Sequence, residues 1–190
     1  ETAYYNIPGI ADLSYGFRSI GEAIKLKNHI VSLFDKHLHP NKQEEISHFH
    51  IVIVGGGATG VEVAGDINLF MRELSEINKV DPSFITIDLV HGGNRLVPQL
   101  TPKASQYVED RIRELGINIY LNRTLIREDL ETVYMKGMSL ESKTVIWTAG
   151  TAPHRMLKNI NNITFSPKGK VIVDEYFKAI NTNGFYVIGD

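Results

Sequence analysis

The chain has 190 residues, 43% hydrophobic and 22% charged, with 20 basic side chains against 22 acidic ones and a formal charge of −2. That length suits one domain, or a domain with part of another, and a chain this size buries about 70% of its unfolded surface without a disulfide or metal. Zero cysteines exclude a disulfide scaffold, thiolate nucleophiles, thiolate zinc sites and cysteinyl iron–sulfur ligation. The balanced charge gives no footprint for nucleic acid or an anionic membrane. There is no apolar run of about 18 residues and no basic, then apolar, leader at Glu1 to Tyr4, so a soluble cytoplasmic or cytoplasm-facing protein is expected.

Ile7-Pro8-Gly9 is a turn signal, and Ser19 to Leu38 predicts an amphipathic helix on Ile20, Ala23, Ile24, Ile30, Val31, Phe34 and Leu38, with Lys25 and Lys27 outward. A polar connector from His37 to His50 follows. Ile51 to Val54, four β-branched residues running into Gly55-Gly56-Gly57, predicts a parallel strand buried on both faces and hence an α/β fold. Val61, Ala64, Ile67, Met71 and Leu74 then recur at helical spacing, with the stripe extending to about Ile77. Asp81-Pro82-Ser83 breaks the helix, and Ile85 to Val90 returns to strand composition, completing a βαβ unit.

Thr101-Pro102 predicts an N-cap followed by proline at the first helical position, with Ala104, Val108, Ile112 and Leu115 inward and Gly116 as the C-terminal cap. Ile117 to Leu121, Val133 to Lys136 and Thr144 to Thr148 read as short strands of a small antiparallel cluster closing back onto the parallel sheet. Lys170 to Asp174 and Phe185 to Ile188 read as two more strands, after a Pro167-Lys168-Gly169 turn.

Gly55-Gly56-Gly57-Ala58-Thr59-Gly60 fits G-x-G-x-x-G between a strand and a helix. The first glycine permits a tight turn, the second lets a pyrophosphate approach the backbone, and the third allows helix and strand to pack closely. The helix N-terminus then offers free N–H groups to the phosphates. An acidic residue should end the second strand and bind the adenosine ribose, but the residue there is His91. An imidazole hydrogen-bonds a 2′-hydroxyl without repelling a 2′-phosphate, and Arg95 is placed to pair with that phosphate, so NADPH stays open beside NADH. Asp88 falls mid-strand and ranks below His91 for the ribose. Five of the seven histidines lie between His29 and His50, but in a polar connector with no organised carboxylate, so no metal is expected. No G-x-S-x-G elbow is present, and acyl transfer is unsupported.

The run from Gly55 to Ile67 resembles the NADH-binding fingerprint of the pyridine nucleotide-disulfide oxidoreductase superfamily. Arg95-Leu96-Val97-Pro98 resembles its R-x-L-P, Val145 to Gly150 its V-I-W-x-A-G, and Phe185 to Asp190 its I-Y-A-x-G-D, all in the family's order. The lead-in from Ile7 through Phe34 is most similar to the type II NADH:quinone oxidoreductase branch. The resemblance implies an FAD/NAD(P)-binding fold: a Rossmann-like parallel sheet, helices on one or both faces and a small antiparallel cluster. It implies a lead-in over residues 1–50 leaving an FAD half, an NAD(P)H-binding domain over 51–150, and a return over 151–190 into the FAD half. Gly55, Gly57, Ala58, Thr59 and Gly60 would hold the dinucleotide. Glu62 matches a glutamate beside the nicotinamide and flavin, Ala149 and Gly150 the loop under the nicotinamide, and Gly189-Asp190 the pair that binds the FAD ribityl chain.

The activity so implied is hydride transfer from NADH, favoured over NADPH, to FAD and on to a quinone. The partners would be the FAD half of the same protein and the quinone, with no nucleic acid, a homodimer allowed, and peripheral attachment to the cytoplasmic membrane face. A stand-alone nucleotide-binding module and a disulfide or peroxide reductase of the same superfamily are the alternatives.

Overall fold

The computed structural model describes residues 1–35, 48–167 and 169–189, in two compact units: Tyr4–Ala149, and Glu1–Ala3 together with the chain from Gly150 on. The larger unit begins with helix α1 (Ile10–Leu13), strand β1 (Tyr15–Gly16) and helix α2 (Ile20–Asp35). Strand β2 (His50–Val54), helix α3 (Ala58–Asn78) and strand β3 (Thr86–Val90) form the predicted βαβ unit. Helix α4 (Pro102–Glu114) and strand β4 (Asn118–Tyr120) follow. Strands β5 (Leu125–Glu128), β6 (Thr132–Met135) and β7 (Met138–Glu141) precede β8 (Thr144–Trp147).

The sheet order is β1-β8-β2-β3-β4, parallel throughout, while β5-β6-β7 make a separate antiparallel sheet. The α/β class and both sheets therefore stand as expected, but the strands divide differently. The segments around Ile119 and Ile146 are members of the parallel sheet, and of the three strands predicted for the antiparallel cluster only the one at Val133 belongs there. Its partner β7 turns Ser139 and Glu141 outward, and β5 exposes Ile126 while burying Glu128, which hid both strands. The predicted strands at Lys170 to Asp174 and Phe185 to Ile188 are reduced to single bridges, Phe165 with Val171, Val173 with Ala179 and Lys178 with Tyr186.

Alternation along the strands sorts the core into two layers. Ile51 and Ile53 face Leu26, Ile30, Val63, Ile67, Met71 and Ile112 of the helices, whereas Val52 and Val54 face Ile10, Leu125, Val133 and Met135. Helices α2, α3 and α4 thus cover one face, and the antiparallel sheet with α1 covers the other. Each fully buried side chain of this kind contributes roughly 1.5–3 kcal/mol.

The stripe predicted for α2 holds at Ile30 and Phe34, which are buried, but not at its start: Ile20 and Ile24 are 82% and 53% exposed, and Leu26 and Leu33 are buried in addition. Leu26, Ile30, Leu33 and Phe34 stand at i, i+4, i+7 and i+8, which is one continuous face of the helix. Leu38 lies outside the described residues. In α3 the buried stripe ends before Ile77, which is 68% exposed. Among the described residues no helix is long and apolar enough to cross a membrane.

The histidines expected to be solvated in the connector are tied into the fold where they are described. The Nε2 atom of His29 lies 2.8 Å from Thr144 Oγ1, that of His48 2.9 Å from the Leu33 carbonyl, and that of His50 2.8 Å from Asp88 Oδ2. His37 and His39 lie outside the described residues.

At the end of β5 the Glu128 carboxyl is buried, and its Oε2 has no hydrogen-bond partner among the described residues. Desolvation pushes its pKa up to about 8. Between an unfolded value of 4.5 and that figure, the folded chain keeps a proton that the unfolded chain releases. The stability from this group is therefore complete below pH 4.5 and is lost as pH rises toward 8. Glu128→Gln is expected to flatten this slope and to raise stability at pH 9 by about 3 kcal/mol, screening allowed for. Urea denaturation of both proteins across pH 4 to 9 checks it, and parallel curves would refute it.

Candidate functional site

In an open parallel sheet, ligands bind beyond the carboxyl ends of the strands where the chain order reverses. Here β3 and β4 lie to one side of β2 while β8 and β1 lie to the other, so the crevice opens between the ends of β2 and β8. Gly55 follows β2 and Thr148-Ala149 follow β8. Gly55 has φ +122°, and a Cβ there would meet Ala149 N and Thr148 Oγ1 at 2.7 Å. The turn therefore needs glycine, for both its conformation and its neighbours.

The glycine turn is clamped from three sides. Gly55 N–H donates to the Val90 carbonyl at 2.9 Å, and the Thr148 hydroxyl donates to the carbonyls of Val54 and Gly55 at 3.0 and 3.1 Å. Gly56 N–H donates to His91 Nδ1 at 3.1 Å, and the Gly56 carbonyl accepts from Val97 N–H at 2.7 Å. A Cβ on Gly56 would run into the Leu96 side chain and the His91 ring, and one on Gly60 into the Gly55 carbonyl.

Gly57 is the exception, with nothing within 4 Å of a Cβ built there. It is the N-cap of α3 and makes no side-chain capping bond, unlike Thr101 of α4, whose hydroxyl accepts from Ala104 N–H at 3.3 Å. The first N–H groups of a 21-residue helix are thus left facing an open cradle. That arrangement fits the phosphates of a dinucleotide.

Around this cradle, Ala58, Thr59 and Glu62 are exposed on the first turns of α3, and Gly60 is buried beneath them. His91 stands at the carboxyl end of β3, as expected. Burial pushes its imidazole below the ordinary value, opposed by the Glu109 carboxylate, so the ring is neutral at pH 7. With Nδ1 accepting from Gly56, Nε2 carries the proton. Arg95 turns onto its own loop, its Nη2 donating to the Pro98 carbonyl at 2.6 Å.

Asp88 does not join the site. It is 1% exposed, with its carboxylate held by His50 and by Asn118 Nδ2 at 2.7 Å. Gly150 opens the smaller unit at φ +98°, Gly189 lies in that unit at φ +104°, and Asp190 lies outside the described residues. Sequence reasoning missed Thr148, Gly56 and the Val97 N–H as elements of the clamp. It also missed Ser105 and Glu109, polar residues one turn apart that the structure buries on α4 and that carry no sequence signal of their own.

An open parallel sheet with this turn, a helix layer on one face and a small antiparallel sheet on the other defines the FAD/NAD(P)-binding fold of oxidoreductases. Residues 1–190 match the pyridine nucleotide-disulphide oxidoreductase family, and the chain belongs to it. It is 25% identical over 201 residues to a type II NADH:quinone oxidoreductase of Haemophilus influenzae, covering 98% of this chain and 45% of the relative. It is 22% identical to an external alternative NAD(P)H-ubiquinone oxidoreductase, B3, of Arabidopsis thaliana mitochondria, covering 98% and 34%. Among solved structures, NDH2 from Plasmodium falciparum in complex with NADH superposes with a TM-score of 0.85 at 27% identity, over 95% of this chain and 39% of that one. The chain spans less than half the length of these relatives.

Proposed function

We propose that this chain is the NAD(P)H-binding part of a flavin-dependent oxidoreductase that passes hydride from NADH to FAD and then electrons to a quinone. The open cradle at Gly57, at the carboxyl edge of the sheet and before an uncapped helix, carries the proposal. The family membership and the NADH held by the Plasmodium relative support it. In this reading residues 51–150 are the nucleotide-binding domain, and residues 1–50 and 151–190 lead from and to an FAD half. The intact protein would attach peripherally to the cytoplasmic face of a membrane, with a homodimer allowed.

Gly55, Gly57 and Gly60 shape the turn, and the N–H groups at Gly57, Ala58 and Thr59 receive the pyrophosphate. The His91 Nε2–H and the Arg95 guanidinium serve the adenosine ribose and, in NADPH, its 2′-phosphate. Glu62, Ala149 and Gly150 attend the nicotinamide, which supplies the hydride, and Gly189 and Asp190 belong with the FAD. Binding energy at the pyrophosphate orients the reacting ring from a distance, so this chain's residues work by placement rather than proton transfer.

Calorimetric titration of the chain with NADH and NADPH tests the assignment, and absence of NADH binding would refute it. His91→Asp sharpens the test. An Asp oxygen can occupy the place of Nδ1 and keep the Gly56 N–H bonded, while its charge repels a 2′-phosphate. The NADPH affinity is expected to fall at least about tenfold relative to NADH; an unchanged ratio would mean that residue 91 does not face the ribose.

A further inference from the structure

The two peptide groups that join Gly55 to Gly57 carry four polar atoms, and three of them are bonded inward. The Gly55 carbonyl accepts from Thr148 Oγ1, Gly56 N–H donates to His91, and the Gly56 carbonyl accepts from Val97 N–H. The fourth is Gly57 N–H, which has no hydrogen-bond partner among the described residues. It belongs to the same planar peptide as the Gly56 carbonyl. In a trans peptide the N–H points opposite to the C=O, and no cis bond occurs among the described residues. A bond that fixes the carbonyl against Val97 therefore aims the Gly57 N–H away from Val97 and toward the open cradle.

The donor in that bond is itself held under strain. Val97 has φ +43°, a left-handed conformation that a β-branched residue adopts only when its surroundings impose it. Its carbonyl accepts from the Ser105 hydroxyl at 3.3 Å and from Leu100 N–H at 2.9 Å. The preceding N–H, on Leu96, donates to Glu109 Oε1 at 3.0 Å. Leu96, Val97, Ser105 and Glu109 are 0%, 5%, 1% and 8% exposed. No lysine or arginine pairs with Glu109 among the described residues. A carboxylate so placed costs desolvation free energy, and its contact with this loop is the Leu96 N–H.

We propose that Glu109 is a positioning residue of the dinucleotide site. Through Leu96 and Val97 it fixes the Gly56 carbonyl, and so presents the Gly57 N–H to a pyrophosphate oxygen. The inference rests on the dinucleotide reading above and adds to it a residue that never touches the ligand. The strain at Val97 is part of the device, because without the Glu109 and Ser105 anchors the loop would relax and release the Gly56 peptide to rotate.

Glu109→Gln and Glu109→Met test it, since both keep the unbranched length of glutamate while only glutamine keeps an oxygen acceptor for Leu96 N–H. NADH and ADP-ribose, which share the pyrophosphate, are titrated into the chain by calorimetry, and the Gly57 amide is followed by NMR. Glutamine should bind both ligands within about twofold of the unsubstituted chain and keep the ligand-induced shift of that amide. Methionine should weaken both by about tenfold or more and lose the shift. Equal binding by the two variants overturns the inference while leaving the dinucleotide reading intact. No binding by the unsubstituted chain overturns both. Should the methionine variant not fold, Glu109→Asp withdraws the carboxylate by one methylene and is expected to weaken binding likewise; binding at full strength by that variant would overturn the proposal.

Discussion

Gly57→Val should weaken dinucleotide binding severely and leave the protein folded. The residue has φ −77° and ψ −176°, extended backbone open to any side chain, and a Cβ there meets no protein atom within 4 Å. What valine would meet is the ligand, because its branched side chain stands where a phosphate must approach the N–H groups of the turn. A loss of about 3 kcal/mol in binding, roughly 100-fold, is expected. Thermal unfolding of the free chain should reflect only the poorer N-cap, up to about 1 kcal/mol.

Gly60→Ala provides the opposite case, since its Cβ would collide with the Gly55 carbonyl and the strand and helix would have to separate. Calorimetry and melting curves on the pair thus separate a glycine kept open for a ligand from one kept small for packing. NADH bound equally by Gly57→Val and the unsubstituted chain would mean that the cradle is not a phosphate site.

The legible parts of the fold were those with a local signal that tertiary packing had no reason to override. The continuous β-branched run at Ile51 to Val54, the apolar stripe of α3 and the Thr101-Pro102 start of α4 are such signals, and all three formed close to where they were expected. The antiparallel sheet was poorly legible because it is covered on one face only. Strand β5 alternates Leu125 inward with an exposed Ile126, and β7 keeps no residue fully buried. Apolar count therefore did not distinguish strand from loop. Strand β1, two residues long, is defined by its pairing with β8 and has no pattern of its own.

For the site, the glycine positions were legible as a motif, but their separate reasons were not. Gly56 occupies a position that the motif leaves free, yet it is crowded by His91 and Leu96, whereas Gly57, the motif's second glycine, is open. That difference depends on residues 35 and 40 positions downstream, which no local reading brings together. The same holds for Glu109, which a helical-wheel reading assigns to the border of α4 and which the loop at Leu96 draws into the interior. His91 was placed at the end of β3 by counting along the strand. Its hydrogen bond to the glycine turn became visible only once strand and turn were adjacent in space.

Asp88→Ala should unfold the chain more readily than any ribose role would require, and this result decides between Asp88 and His91 as the ribose-facing residue. The side chain lies in the interior of the parallel sheet, bonded to His50 on one neighbouring strand and to Asn118 on the other. His50 and Asn118 are the first residues of β2 and β4, so the cluster lies toward the amino ends of the strands, away from the carboxyl edge that carries Gly55 and His91.

Alanine would leave an imidazole and an amide without their acceptor in a buried setting, and loss of one partner from such a cluster costs about 3–5 kcal/mol. Asp88→Asn, which keeps an oxygen for one neighbour, should lose less, about 1–2 kcal/mol. Urea midpoints measure both, and NADH titration under conditions where each variant is folded should return the unsubstituted affinity. A variant that stays stable but binds NADH tenfold more weakly would instead put Asp88 at the ribose and remove His91 from it. The stability loss at Asp88 and the NADPH discrimination at His91 are thus opposite signatures for residues three positions apart on one strand and its end.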